Sequence, residues 1–107
     1  MIFSSYSQRY LGHPDFRTVW AELNRRKAVV PIHPGFEGMD PIEEPRHLAP
    51  PVIDQTHETT RTVVNLITIG VTRQFPDVKI ILSHAGGTLP YVVRRARICA
   101  AAYVSRT

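Results

Sequence analysis

The sequence predicts an α/β fold in which parallel strands alternate with helices. Three aliphatic runs, at residues 1–5, 28–32 and 78–82, are separated or followed by longer segments with helical periodicity. This β-α-β-α-β-α order implies parallel pairing and right-handed crossovers. The runs lack polar alternation, which is typical of strands covered on both faces. The pattern fits either a doubly wound sheet or a sector of a (β/α)8 barrel.

The first helix is predicted over residues 12–27. Pro14 fits the first turn, where its missing N–H is not needed, and the basic residues 25–27 suit the negative end of the helix dipole. Apolar residues recur at the i, i+3, i+4 and i+7 spacing of one helix face. These residues are Phe16, Val19, Trp20 and Leu23.

The second helix is predicted from about residue 56 to 75, with Thr56 as its cap and Pro76 as its end. Gly70 weakens the helix interior without ending it. The predicted apolar face consists of Val63, Leu66, Ile67, Ile69 and Val71.

A proline-rich loop, roughly Pro34 to Asp54, joins the second strand to the second helix. It exceeds the ~12–15 residues above which structureless loops are usually functional or disordered. The third helix is predicted from about Thr88 through Ala102, with Pro90 tolerated in its first turn.

Length and composition suit one small domain or part of a larger one. The chain has 107 residues, 43% of them hydrophobic, and no apolar run near the roughly 18 residues of a membrane span. Cys99 is the single cysteine, which excludes an internal disulfide and favours a reducing compartment. Its place on an alanine-rich helix predicts a packing role. A cytoplasmic protein without a membrane partner is therefore expected.

The positive charge does not predict a nucleic-acid partner. The formal net charge is +4, but the basic residues fall in separate groups at 25–27 and 94–97. Both groups suit helix ends or exposed helix faces. The sequence has no nucleic-acid motif and no basic stripe interleaved with aromatic residues. We therefore expect no nucleic-acid partner.

Two strands each end on a histidine followed by a turn. His33 precedes Pro34 and Gly35, and His84 follows the third strand just before a pair of glycines. The carboxyl ends of parallel strands gather at one edge, so the two histidines are expected to be neighbours about 5 Å apart. Imidazole suits a divalent metal or general acid–base chemistry. The alternative is a pair of hydrogen-bonded packing histidines.

The remaining histidines have ordinary explanations. His13 suits a helix start, His47 an exposed loop and His57 the entry to the second helix. Asp54 and Glu58 flank His57, but capping and the helix dipole explain them equally well. The sequence has no Ser/His/Asp or Cys/His signature and no phosphate-binding glycine loop.

Two longer motifs carry a family resemblance. The stretches YLGHPDFRTVWAELNRRKAVVPIHP and HETTRTVVNLITIGVTRQFPDVKIILSHAGGTLPY, with their spacing, resemble the amidohydrolase-related metal-dependent decarboxylases, in particular the fungal 6-methylsalicylate decarboxylases. The resemblance extends from residue 1 to about 98. It implies a partial (β/α)8 barrel containing the fourth to sixth β/α units, so that residues 1–107 are a fragment of a single barrel domain.

The resemblance also implies a reaction and a set of site residues. His33 matches a ligand of a divalent metal, zinc or manganese, and His84 matches a catalytic histidine beside that metal. Arg95 matches an arginine that can hold a substrate carboxylate, in some members across a dimer interface. Its alternative is an exposed helix arginine. The implied reaction is nonoxidative decarboxylation of a small aromatic carboxylic acid, without an organic cofactor.

The chain departs from the family pattern in its ligand set. The family's His-x-His pair on the first barrel strand and aspartate on the last are absent from these 107 residues. Three strands would leave unpaired edges and an uncovered inner face, with surfaces like those of Trp20 or Leu66 exposed. We therefore expect a marginally stable chain that forms homo-oligomers or pairs with missing barrel segments. The alternatives are a catalytically inactive remnant or partner-dependent subunit, or a metal-dependent hydrolase of the same superfamily.

Overall fold

A computed structural model describes residues 1–35 and 51–104 of the chain. Its elements are β1 (Ile2–Phe3), β2 (Ser5–Tyr6), β3 (Arg9–Tyr10), α1 (Arg17–Arg25), β4 (Val29–His33), α2 (Asp54–Ile69), α3 (Val71–Gln74), β5 (Lys79–Leu82) and α4 (Leu89–Val104). Most of the predicted loop between residues 34 and 54, including His47, lies outside the described residues.

Strands β1, β4 and β5 form one parallel sheet in the order β1-β4-β5. Ile32 of β4 lies between Ile2 of β1 and Leu82 of β5 in register. Helices connect these strands, as parallel pairing requires. The predicted α/β class with parallel strands is confirmed.

One face of the sheet packs against the helices. Val30 and Ile32 point into a buried cluster that includes Trp20, which is 2% exposed, and Leu66, which is fully buried. The Trp20 indole N–H donates to the Leu11 carbonyl at 2.8 Å, so its polar atom is satisfied. The prediction that Trp20 and Leu66 would be exposed is wrong, because these side chains lie between the helices and this sheet face.

The opposite face of the sheet is open. Val29 is 59% exposed and Ile81 is 53% exposed, and Phe3 beside His33 is also exposed. These positions alternate with the buried ones, as side chains do along a strand. The expectation of an uncovered sheet face therefore holds for the described residues, and the apolar side chains it exposes come from strands rather than helices.

The second helix is interrupted where the sequence predicted continuity. Gly70 adopts φ +88°, and its N–H donates to the Ile67 and Leu66 carbonyls, so α2 ends there and α3 follows. The N-terminus also differs from the prediction. α2 begins at Asp54 after Ile53 and has no side-chain cap, so Thr56 lies inside the first turn.

The buried apolar faces of the helices are narrower than the sequence predicted. Val19, Ile67 and Ile69 are exposed, because the sheet and neighbouring helices cover only part of each helix. Cys99 is also exposed, so the prediction that it packs is wrong. It lies on a face of α4 that no other described element covers.

A short hairpin, β2–β3, was not predicted. Its turn residues Ser7 and Gln8 have φ values of +50° and +61°. Two-residue hairpin turns favour positive φ at both positions and usually use Gly or Asn there. Because neither residue gives that signal, the sequence pattern does not reveal the hairpin.

The helix geometry bears on membrane insertion. Among the described residues, no helix combines the length and apolar character needed to cross a bilayer.

Candidate metal and acid–base site at the strand ends

The two strand-end histidines lie side by side. His33 is the last residue of β4, and His84 follows β5 after Ser83. The Ser83 N–H donates to the Ile32 carbonyl at 3.2 Å, which extends the strand pairing beyond β5. The centroids of the two imidazole rings are 5.2 Å apart, at an interplanar angle of 54°. The structure thus brings together the two residues that the sequence singled out.

The hydrogen bond of His33 identifies the nitrogen that remains free. Its Nδ1 lies 2.8 Å from the carbonyl oxygen of Pro34, which can only accept. Nδ1 therefore carries a proton, so in the neutral imidazole Nε2 is the nitrogen with the lone pair. Metal-binding histidines commonly donate their second ring N–H to a carbonyl in this way.

His84 is held by hydroxyl groups from α2 and from its own loop. Its Nδ1 lies 2.9 Å from Thr59 Oγ1 and 3.1 Å from Ser83 Oγ. Thr59 also donates to the Gln55 carbonyl one helical turn earlier, at 3.1 Å. Thr59 is buried, whereas His84 is half-buried, so the imidazole is anchored at its inner edge.

The loop that carries His84 has four consecutive residues with positive φ. His84 and Ala85 have φ values of +52° and +50°, and Gly86 and Gly87 follow at +82° and +65°. For residues with a Cβ this region is sparsely populated and costs on the order of 1–3 kcal/mol each. Such strain persists only where neighbouring contacts hold the backbone.

Those contacts come from a second threonine of α2. The Thr88 N–H donates to Thr60 Oγ1 at 2.8 Å, and the two hydroxyl oxygens are 3.0 Å apart. A Cβ added at Gly87 would collide with Thr60 Oγ1 and with the Thr56 carbonyl oxygen. Gly87 is therefore needed both for its positive φ and for the close approach of this loop to α2.

A cleft opens beside His33. It has a volume of about 430 Å³, and its wall includes the aromatic rings of Phe3 and Tyr6 and the amide of Gln55. This volume lies within the ~300–1,000 Å³ range of small-molecule sites. A flat aromatic ligand could pack against the rings with a polar group near the imidazole.

The hairpin beside this cleft is fastened to α2. Tyr10 of β3 hydrogen-bonds to the buried carboxylate of Glu58. Burial raises the pKa of Tyr10, and the Glu58 hydrogen bond and charge raise it further, while Arg61 opposes them. The neutral phenol is thus favoured, and α2 contacts both the hairpin and the His84 loop.

The other candidate residues lie apart from the pair. Arg95 is exposed on α4, and within the described ranges no hydrogen bond or ion pair joins it to either histidine. His13 caps a short 3-10 turn by accepting from the Asp15 N–H at 3.1 Å, as its position predicted. His57 is exposed in the first turn of α2.

The described side chains include types that bind metal ions, but too few of them lie together to complete a metal site. Catalytic zinc sites normally have three protein ligands. In the part of the chain that the structure describes, no group of three or more His, Cys, Asp or Glu side chains could hold an ion. His33, with Nδ1 bonded to a carbonyl, has the form of one such ligand.

Sequence reasoning missed Thr59 and Thr60. Their signal was the polar run from Glu58 to Thr62 at the start of a helix with an apolar face. That run gives no indication of which loop packs on it, because the contact joins positions about 25 residues apart.

The family model described as amidohydrolase matches residues 3–104. The chain belongs to the amidohydrolase family. A solved crystal structure of an amidohydrolase II superposes with a TM-score of 0.76 at 27% identity, and it covers 92% of this chain and 32% of that protein. The predicted partial (β/α)8 barrel is therefore confirmed, as is the resemblance to the amidohydrolase-related proteins.

Two curated fungal relatives are similar over most of this amidohydrolase chain. Decarboxylase macB of Penicillium terrestre is 52% identical over 100 residues, covering 89% of this chain and 30% of the relative. The 6-methylsalicylic acid decarboxylase acuB of Aspergillus aculeatus is 50% identical over 97 residues, covering 89% and 29%. The chain thus spans less than a third of the length of these relatives.

Proposed function

We propose that this chain carries the metal-ligand and acid–base histidines of a metal-dependent, nonoxidative decarboxylase. The proposed substrate is a small aromatic carboxylic acid such as 6-methylsalicylate, and the proposed location is the cytoplasm. The observation that carries the proposal is the pair His33 and His84, with rings 5.2 Å apart and both Nδ1 atoms engaged. The decarboxylase names of the fungal relatives support the reaction type.

His33 would hold the metal through Nε2. The hydrogen bond from Nδ1 to Pro34 favours this nitrogen as the ligand. When bound, a divalent zinc or manganese ion supplies Lewis-acid stabilisation of negative charge on substrate oxygens. The other ligands would come from residues outside those described, with residues 1–107 forming one segment of a single barrel domain.

His84 would move the proton. Decarboxylation of an aromatic acid requires a proton at the ring carbon that bears the carboxylate. The bond between that carbon and the carboxylate then breaks, carbon dioxide leaves, and the electron pair of that bond restores the aromatic ring. An imidazole with its inner edge anchored by Thr59 can present Nε2 to the ring carbon and, once Nε2 is protonated, serve as the proton donor.

The cleft and Arg95 would bind the substrate. Phe3 and Tyr6 offer aromatic surface for a planar ring next to His33. Arg95 carries an exposed guanidinium on α4, and such a group can hold a carboxylate through two parallel hydrogen bonds. We assign it to the carboxylate of a substrate bound in a neighbouring subunit of a homo-oligomer.

A second candidate is a subunit that acts only with partner segments. The described residues offer fewer than three metal-ligating side chains in one group, and the apolar sheet face with Val29 and Ile81 is open. Both observations favour a chain that pairs with further barrel units before it binds a metal. In this case the histidine roles stay the same, but the isolated chain is inactive.

The test is a chimera with a full-length relative. Residues 3–104 of this chain replace the matching segment of the Aspergillus aculeatus 6-methylsalicylic acid decarboxylase, and carbon dioxide release from 6-methylsalicylate is measured. The isolated chain is assayed in parallel. We expect turnover by the chimera, and its loss in His33→Ala and His84→Ala, because the first would remove a metal ligand and the second the proton donor.

His57→Ala is the matched control, since His57 is an exposed histidine on the same helix that carries Thr59. It should leave turnover unchanged. A folded chimera that releases no carbon dioxide, or one whose turnover survives His84→Ala, contradicts the proposal. Turnover by the chimera without turnover by the isolated chain is expected for both candidates, because each needs metal ligands from outside the described residues.

A further inference from the structure

We propose that Thr59 is a positioning residue that fixes His84 in the tautomer protonated at Nδ1. In this tautomer Nε2 carries a lone pair and can accept or, after protonation, deliver a proton. The tautomer is a property of the loop and α2 alone. Its use in decarboxylation rests on the function proposed above.

The Thr59 hydroxyl has a single proton to donate. Oγ1 lies 3.1 Å from the Gln55 carbonyl oxygen, which can only accept a hydrogen bond. It also lies 2.9 Å from His84 Nδ1. If the hydroxyl donates to Gln55, its oxygen remains an acceptor, and Nδ1 must supply the proton between them. A continuous chain then runs from His84 through Thr59 to Gln55.

The opposite tautomer disrupts this chain. With the proton on Nε2, the Nδ1 lone pair faces Thr59 Oγ1 at 2.9 Å. Either two lone pairs then oppose each other, or Thr59 turns its proton to Nδ1 and loses its bond to Gln55. A half-buried pair of polar atoms without a shared proton is destabilised. The Nδ1–H form satisfies every group in this set.

Ser83 supports the arrangement without being able to replace Thr59. Its Oγ lies 3.1 Å from His84 Nδ1 and 3.3 Å from Thr59 Oγ1. In the Nδ1–H form it can donate to Thr59 or share the Nδ1 proton. Without the Thr59 hydroxyl, Ser83 is free to donate to an unprotonated Nδ1, which would favour the Nε2–H form. Thr59 is thus the residue that decides between the tautomers.

By the same reasoning, both histidines of the pair carry a proton on Nδ1. His33 Nδ1 donates to the Pro34 carbonyl, so its Nε2 is also unprotonated. His33 obtains its orientation from the adjacent residue, whereas His84 obtains it from a helix 25 positions away. Displacement of α2 would therefore alter His84 and leave His33 unaffected.

The test is nitrogen NMR of the imidazoles in the 107-residue chain, in alkaline buffer where histidine is neutral. The probe is the pair of ¹⁵N shifts of His84, assigned by its loss in His84→Gln. A protonated nitrogen and a lone-pair nitrogen resonate in well-separated ranges. We expect His84 to have Nδ1 protonated. In Thr59→Val, which keeps the shape and removes the hydroxyl, we expect the population to shift towards Nε2–H.

Two further variants separate positioning from packing. Thr59→Ser restores a hydroxyl and should restore the Nδ1–H form. Thr62→Val is the matched control, because Thr62 makes the same bond to a carbonyl one turn earlier, to Glu58 at 2.9 Å, and is fully buried away from His84. It should leave the His84 shifts unchanged. Ser83→Ala should also retain the Nδ1–H form.

Each outcome either supports or overturns the positioning role of Thr59. An Nε2–H tautomer in the wild-type chain, or an unchanged tautomer in a folded Thr59→Val variant, overturns the inference. If Thr59→Val does not fold, loss of the Nδ1–H form in Ser83→Ala overturns it, and retention supports it. In the chimera, Thr59→Val should lower kcat roughly ten- to hundredfold with little change in KM. A chimera without turnover contradicts the proposed function, while the tautomer measured in the isolated chain still decides the role of Thr59.

Discussion

The ends of β4 and β5 carry the same side chain but are built differently. His33 ends β4, and the contact that orients its ring is with the next residue in the chain, Pro34. His84 follows β5 in a strained loop that Thr59 and Thr60 of α2 hold from a distant part of the sequence. The orientation of His33 therefore depends on local chain geometry, and that of His84 on tertiary packing. Substitutions in α2 and in the glycine pair should therefore affect the two ends unequally.

The largest effect is expected from Gly87→Ala. An alanine there would hold a positive φ and also collide with Thr60 Oγ1 and the Thr56 carbonyl. We expect the free energy of unfolding to fall by about 2–4 kcal/mol, combining backbone strain with overpacking. Urea denaturation followed by circular dichroism measures the change.

Gly70→Ala is the matched control for that substitution. Gly70 also has positive φ, +88°, but a Cβ there would meet no described atom within 4 Å. It should cost only about 1–2 kcal/mol, from the left-handed conformation alone. Equal losses for the two variants would show that the Gly87 loop does not pack against α2 as described.

Thr60→Val should have the next largest effect. It removes the acceptor of the Thr88 N–H and leaves that donor half-buried without this partner. We expect a loss of about 1–2 kcal/mol in unfolding free energy. Thr68→Val, on the exposed part of the same helix, serves as the comparison and should change stability by less than about 0.5 kcal/mol. A loss at Thr68 equal to that at Thr60 would contradict the account.

The hairpin next to His33 gives a pH-dependent test. The pKa of Tyr10 is raised above its ordinary value of 10.0, first by burial and then by Glu58. The folded state favours the neutral phenol, so this contribution is fully present below pH 10 and is lost as the pH rises through the raised pKa. Alkaline absorbance titration of wild type and Tyr10→Phe should identify one late-titrating tyrosine.

Glu58→Gln sharpens that test. Removal of the carboxylate should bring the pKa of Tyr10 back towards 10.0, while burial keeps part of the increase. A Tyr10 pKa that does not respond to Glu58→Gln would mean that the hairpin is not tied to α2 through this pair.

The smallest effect is expected at a helix end far from both histidines. Hydrogen bonds from Arg25 and then Arg26 lower the pKa of Glu22 to about 2. The associated stability is present above the ordinary value of 4.5 and is lost as the pH falls through about 2. The Glu22 side chain is 46% exposed and its ion pairs lie at the surface, so Glu22→Gln should barely change the melting temperature at pH 7. A clear decrease there would show that this pair contributes more than an exposed ion pair should.

The features that could be predicted from the sequence are those that depend on hydrophobic periodicity and on position along the chain. The alternation of aliphatic runs with helical segments gave the parallel sheet, and the placement of His33 and His84 after two such runs gave their adjacency. Both follow from a general rule about where parallel strands end.

The parts that were missed depend on contacts between distant residues. Thr59 and Thr60 look like ordinary helix residues until the loop after β5 packs on them. The β2–β3 turn uses Ser7 and Gln8 at positive φ, against their usual preference. At Gly70 a helix can either continue through the glycine or end with the glycine as a left-handed cap. Local sequence does not distinguish these two cases, and here α2 ends.

The two neighbouring histidines are proposed to have different roles, and these are tested most directly by measuring both metal content and turnover in the His33→Ala and His84→Ala chimeras. We predict that His33→Ala loses both bound metal and decarboxylation, because it removes a proposed metal ligand. His84→Ala should retain the metal and lose decarboxylation, because it removes only the proposed proton-transfer group. Equal metal loss in both variants, or turnover that survives either substitution, would contradict the account.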